Sequence, residues 1–346
     1  MEYLNIGLML VALVAAAVVP LELFLFSYAV LGPLHYLTEI SWLHDRRYFA
    51  LRGMDWLPLA ICAVLITLGN SGVMGNLGTE FLNHVHLAGY GLADILHSVG
   101  WDITFVAFSA ALIFVLTDQL LTRLFAVTVV AMAALLFHVG SSEGALGFYY
   151  KIFAVYLPSL IHVFVFTGAF ILLGALKRRS VAGYASLGVF IACGVLSVWL
   201  PNFAAASRTA AAEVFWRGFQ ELSLFSLQDI LGYRLEQLKG LNVYTSDITL
   251  RLVRFLAFAY TYHYLNWFSK TSIIQWHAVS RARLALVAIL WVASVALYYF
   301  NYDLGLRWLF LLSLSHVLLE FPLNHKSFLD IGSELKKRIV GGLSAR

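Results

Sequence analysis

Long apolar runs separated by short polar clusters recur from one end of the chain to the other. They cover Leu4–Leu34, Trp56–Gly69, Ile103–Thr117, Leu120–Val139, Ile152–Leu176, Tyr184–Leu200, Leu252–Phe268, Leu284–Phe300 and Leu306–Phe321. A helix needs about 20 predominantly apolar residues to cross a hydrocarbon layer of roughly 30 Å. The pattern therefore predicts an all-α, polytopic membrane bundle of about nine transmembrane helices, organised as a single membrane domain over residues 1–346. The first run has no basic start and no small-residue cleavage site, and it continues too far for a signal peptide.

Short cytoplasmic loops are enriched in Lys and Arg. Arg46, Arg47 and Arg52 follow the first run, and Arg123 lies between the third and fourth. Lys177, Arg178 and Arg179 follow the fifth, Lys270, Arg281 and Arg283 the seventh, and Lys326, Lys336, Lys337 and Arg338 the last. With nine spans this alternation predicts the N-terminus outside and the C-terminus in the cytoplasm. Two connections are longer than a helical bundle needs. Asn70–Asp102 carries His84, His86 and His97. The stretch at about 202–250 has Phe215, Phe219, Leu222, Ile230 and Leu238 at helical spacing, which predicts an amphipathic segment at the interface or an extracytoplasmic cap.

Composition sharpens this picture. Only 12% of the 346 residues are charged, about half the usual share of a soluble domain. The net charge of +4 comes from basic residues beside apolar runs, so it implies no nucleic-acid partner. Cys62 and Cys193 both fall inside apolar runs, which argues against a disulfide framework.

Ionisable side chains inside membrane helices are costly and usually functional. Five of the eleven histidines, His35, His138, His162, His263 and His316, lie in or beside the runs. Counted from the nearest cytoplasmic basic residue, they sit roughly 10–22 Å into their helices, in a band around the bilayer midplane. Glu39 follows His35 by four residues and Glu320 follows His316 by four, so each acid shares a helix face with its histidine. Glu143 follows His138 across a Gly-Ser turn. A carboxylate beside a ligating histidine orients its ring. A lone histidine in a polytopic helix is more often an interhelical hydrogen-bond partner. Five at one depth with three acids instead point to a mononuclear metal site, for which imidazole favours Fe, Zn or Cu. Tyr260, Tyr262, Tyr264 and Asn266 surround His263 in sequence, either as a polar pocket wall or as an interfacial aromatic belt. Closely spaced histidine boxes, a His-Glu-x-x-His motif and a phosphate-binding Walker loop are all missing from the sequence.

These motifs resemble the Brp/Blh family, bacterial membrane enzymes that cleave β-carotene to retinal with an iron centre. The family has a His-x3-Asp after a Gly-Leu-Pro-like run, similar to Leu31-Gly-Pro-Leu-His35 with Glu39. Its His-Phe-Gly-x-x-Asp looks like His138-Val-Gly-Ser-Ser-Glu143. Its later aromatic-flanked histidine is similar to His263, and its last histidine and acid to His316 and Glu320. Departures are Glu in place of Asp, a last acid one residue closer, and Trp267 where a second histidine would follow His263. The resemblance thus leaves His316 and His162 both open as the remaining ligand.

The resemblance implies an intramembrane non-haem iron dioxygenase of the bacterial inner membrane. It would take O2 and a carotenoid, with Fe2+ held by His35, His138, His263 and His316 or His162. Glu39, Glu143, Glu320 and Tyr262 would be the supporting catalytic groups. The residues by themselves also admit a proton-coupled transporter with a His/Glu relay, or a lipid acyltransferase with one essential histidine as base.

Overall fold

Pro20 splits the first apolar run in two. In the computed structural model, which describes residues 2–70, 82–87, 89–201 and 247–343, helix α1 covers Glu2–Val18 and helix α2 covers Pro20–Asp45. Val19 leaves helical geometry at φ −134°, and Pro20 opens the next helix, where its missing N–H is no loss. The remaining elements are α3 (Trp56–Gly69), a hairpin of β1 (His86–Leu87) and β2 (Tyr90–Gly91), α4 (Leu92–Ser98), α5 (Gly100–Leu116) and α6 (Leu120–Gly140). After these come α7 (Gly144–Arg178), α8 (Val181–Trp199), α9 (Asp247–Ser269), α10 (Thr271–Ile274), α11 (Arg281–Phe300) and α12 (Tyr302–Leu343). Six of these helices are long and apolar enough to cross a membrane, and a seventh arises if α4 and α5, bent by 59°, form one span. The expected amphipathic segment falls almost wholly at 202–246, outside the described residues.

The chain divides into two compact units. The first comprises residues 1–35, 160–278 and 327–346. At its centre stands α9, packed against α1, the start of α2, and α8. Arg254, Tyr260, Thr261, Tyr262, His263, Tyr264, Asn266 and Trp267 of α9 are all buried. This helix is too polar to face lipid, and it is surrounded by protein instead. Phe24 meets Tyr260 edge-on at 5.1 Å, Ser27 Oγ lies 2.7 Å from Thr261 Oγ1, and Asn5 Oδ1 accepts from Ser269 Oγ at 3.0 Å. So α1 runs antiparallel to α9 and α2 runs parallel to it, and the first apolar run is a helical hairpin. A single helix of that run would be about 45 Å long, more than one crossing needs.

The hairpin changes the sidedness of the chain. Arg178 forms an ion pair with Glu2 at 3.0 Å. Arg338 donates to the Tyr184 hydroxyl at 2.7 Å and to the Leu176 carbonyl at 2.6 Å. Both ends of the chain therefore meet the 176–184 turn. The expected placement of the termini on opposite sides, which counted Leu4–Leu34 as one span, finds no support in these contacts.

The second unit comprises residues 36–159 and 279–326. Here α5 packs beside α3 and α6. Arg123 at the start of α6 donates to Asp55 at 2.6 Å and to the carbonyls of Thr117 and Phe114 at 2.6 and 3.1 Å. Within this unit α12 meets α5 where His325 Nε2 donates to the Phe108 carbonyl at 2.8 Å and Phe321 lies edge-on to Phe108. His325 is thus buried. Leu121, Phe125, Leu136 and Val139 on α6 and Ile289, Val292, Tyr299 and Phe300 on α11 are exposed. Apolar surface on this scale is what a bilayer covers.

Candidate metal centre

Three of the expected histidines meet inside the first unit, each from a different helix. The α2 helix brings His35 one turn after a π-helical stretch, Ser27–Leu31. His162 stands on the π-helical part of α7, Lys151–Phe166, and His263 on α9. Widened helical turns of this kind are frequent at functional sites. All three side chains are buried, with His263 the most open at 7%. Each offers a ring nitrogen, and these atoms lie within 4.8 Å of one another. His35 Nε2 and His263 Nε2 are 3.1 Å apart, and the His162 and His263 rings are 5.0 Å apart, centroid to centroid. Ligand nitrogens on one tetrahedral zinc-like ion, at about 2.05 Å from it, stand about 3.3 Å apart. Buried imidazoles with this spacing fit a divalent transition metal.

Thr167 orients one of the three rings. Its Oγ1 lies 2.8 Å from His263 Nδ1. With Nδ1–H donating to that oxygen, Nε2 carries the lone pair and faces His35. A hydrogen bond on the far nitrogen is the usual way a protein fixes the tautomer of a ligating histidine. Aromatic rings wall His35 on its α9 side: Tyr264 at 4.9 Å, Trp267 at 5.4 Å and Phe268 at 6.4 Å.

The second unit holds His316, stacked on Tyr36 at 4.2 Å between centroids. Glu39 and Glu320 are each 2% exposed. Each acid is one helical turn from its histidine, as the spacing predicts.

Two expected residues have other surroundings. His138 bonds through Nδ1 to Asp102 Oδ2 at 2.8 Å and stacks on Trp101 at 5.5 Å. The end of α6 carries it to the start of α5, and Asp102 is the acid it meets among the described side chains. The Glu143 side chain lies outside the described residues. Tyr262 is fully buried, but its ring packs on Phe190 at 5.4 Å and Phe258 at 6.2 Å, toward α8. Two residues along a helix turn a side chain by about 200°, which is why Tyr264 lies against His35 while Tyr262 packs on Phe190.

Sequence reasoning missed Thr167 and Asp102. Thr167 lies inside an apolar run and Asp102 at the edge of one, and neither gives a sign of its partner, 96 residues away for Thr167 and 36 for Asp102. No family model, curated protein or solved structure matches the chain.

Proposed function

We propose that this chain is an intramembrane, metal-dependent oxidoreductase: a non-haem iron oxygenase that cleaves a lipid-soluble polyene of the carotenoid class. The observation that carries the reading is the group of buried imidazoles from separate helices, their ring nitrogens within 4.8 Å. His35, His162 and His263 are the assigned ligands. His316, which the resemblance left open beside His162, is proposed as the fourth from the sequence. Bound iron would supply the one-electron chemistry with O2 that no side chain supplies. The protein residues do the rest. Thr167 holds the His263 ring in orientation through its contact with Nδ1. Tyr264, Trp267 and Phe268 offer flat apolar faces along which a polyene can lie. Burial keeps water from reactive species. A bacterial inner membrane is the location that fits the apolar helices and the resemblance together.

Metal analysis of the detergent-purified protein tests the centre. About one iron per chain is expected, and loss of that iron from His263→Ala with the melting transition retained. A wild-type chain that holds no stoichiometric transition metal after expression in iron-replete medium overturns the proposal. Incubation with β-carotene and O2 tests the substrate separately. Retinal or an apocarotenal is the expected product, and an iron-loaded protein that leaves carotenoids intact removes the carotenoid assignment alone.

A further inference from the structure

The second unit contains a groove of about 580 Å3 that plays no part in the proposed metal chemistry. It opens where α3 and α6 begin and α5 ends, beside Arg52, Asp55 and Arg123. From there it runs inward past Leu59, Cys62, Ala107, Ala110, Leu124 and Val127. Along α5, from Phe114 to Val106, this is roughly 12 Å of depth. Its mouth belongs to the end of the unit rich in arginine, which the positive-inside rule assigns to the cytoplasmic leaflet, where anionic lipids concentrate.

The charges at the mouth are not equivalent. Arg123 is 4% exposed, and its Nε, Nη1 and Nη2 are engaged by Thr117, Asp55 and Phe114, so it and Asp55 neutralise each other. Arg52 is exposed. Its backbone N–H donates to the other oxygen of Asp55 at 2.9 Å, which fixes the turn, and its guanidinium has no acidic partner among the described residues. A cation stands beside an apolar channel.

We propose that this groove binds an anionic phospholipid, one acyl chain lying between α3, α5 and α6 and the phosphate meeting Arg52. Moving an acyl chain from bilayer to groove brings no hydrophobic gain, because lipid tails are as apolar as the groove wall. Selection therefore rests on the headgroup charge, and Arg52 is the residue that reads it.

Native mass spectrometry of the full chain, titrated with phosphatidylglycerol and with phosphatidylcholine of the same acyl chains, tests this. The wild type is expected to bind one phosphatidylglycerol about fivefold more tightly than phosphatidylcholine, since one arginine near a membrane surface contributes about that factor. Arg52→Gln is expected to erase the preference. Val127→Trp, which fills the groove, is expected to reduce occupancy by both lipids. Arg281→Gln, exposed and outside the groove, is expected to change neither. Equal binding of the two lipids by the wild type, an unchanged preference in Arg52→Gln, or an equal loss in Arg281→Gln overturns the proposal. None of these outcomes depends on whether the protein holds iron.

Discussion

Thr167 bears on the metal proposal through a single contact. The methyl of valine fills the same space but offers His263 Nδ1 nothing, leaving the ring free to take either tautomer. Thr167→Val is expected to weaken metal binding about 10–100-fold, the usual effect of losing an outer hydrogen bond, while Thr167→Ser retains it. Competition against a coloured chelator measures this. A second contrast concerns charge. Asp55 and Arg123 have side chains only 10% and 4% exposed, so Arg123→Ala strands a buried carboxylate and is expected to cost about 3–5 kcal/mol. Arg283 pairs with Asp45 at the same sort of distance, 2.7 Å, but with side chains 36% and 43% exposed. Its alanine variant is expected to cost at most about 1 kcal/mol, because water screens the pair. Thermal unfolding in detergent, followed by tryptophan fluorescence, separates the two.

Helices in this protein approach one another through small residues, as lipid-embedded helices must in the absence of a hydrophobic drive. Gly305, near the start of α12, faces the backbone of Tyr298 at the end of α11, and a Cβ built there would fall inside contact distance of the Tyr298 Cα and nitrogen. Neither neighbour is a flexible side chain, so the two helices have to separate. Gly305→Ala is expected to destabilise by about 1–3 kcal/mol, as overpacking does. Gly188, in the middle of α8, meets nothing within 4 Å of its built Cβ. There the same substitution is expected to be neutral or to stabilise by up to about 1 kcal/mol through helix propensity. Melting temperatures of the two variants in one detergent make the comparison. The α9 helix illustrates the same rule from the polar side: its tyrosines and Arg254 are buried because α1, α2 and α8 pack around it.

At the scale of the whole chain, the break between α1 and α2 at Pro20 bears on which side of a membrane Glu2 and Arg338 occupy. Glu2 and Arg338 both contact the turn between α7 and α8, whose Lys177, Arg178 and Arg179 mark it as cytoplasmic by the positive-inside rule. Single cysteines at Glu2 and Lys337, in a chain with Cys62 and Cys193 replaced by alanine, are expected to resist a membrane-impermeant thiol reagent in intact cells. Both should react after permeabilisation. Labelling of either one in intact cells would show that this sidedness is wrong.

The helical, membrane-embedded character was legible in the sequence because apolar run length is a local property set by bilayer thickness. His35, His162, His263 and His316 were legible for a related reason: a polar group inside an apolar run stands out wherever the run ends up. What local pattern could not supply is direction. Whether Leu4–Leu34 crosses once or turns at Pro20, whether Tyr262 or Tyr264 lies against His35, and whether His138 turns to Glu143 or to Asp102 all depend on how helices distant in sequence are rotated about their axes and packed. Those rotations are fixed by contacts such as Ser27 with Thr261 and Thr167 with His263, which only the folded chain brings within reach.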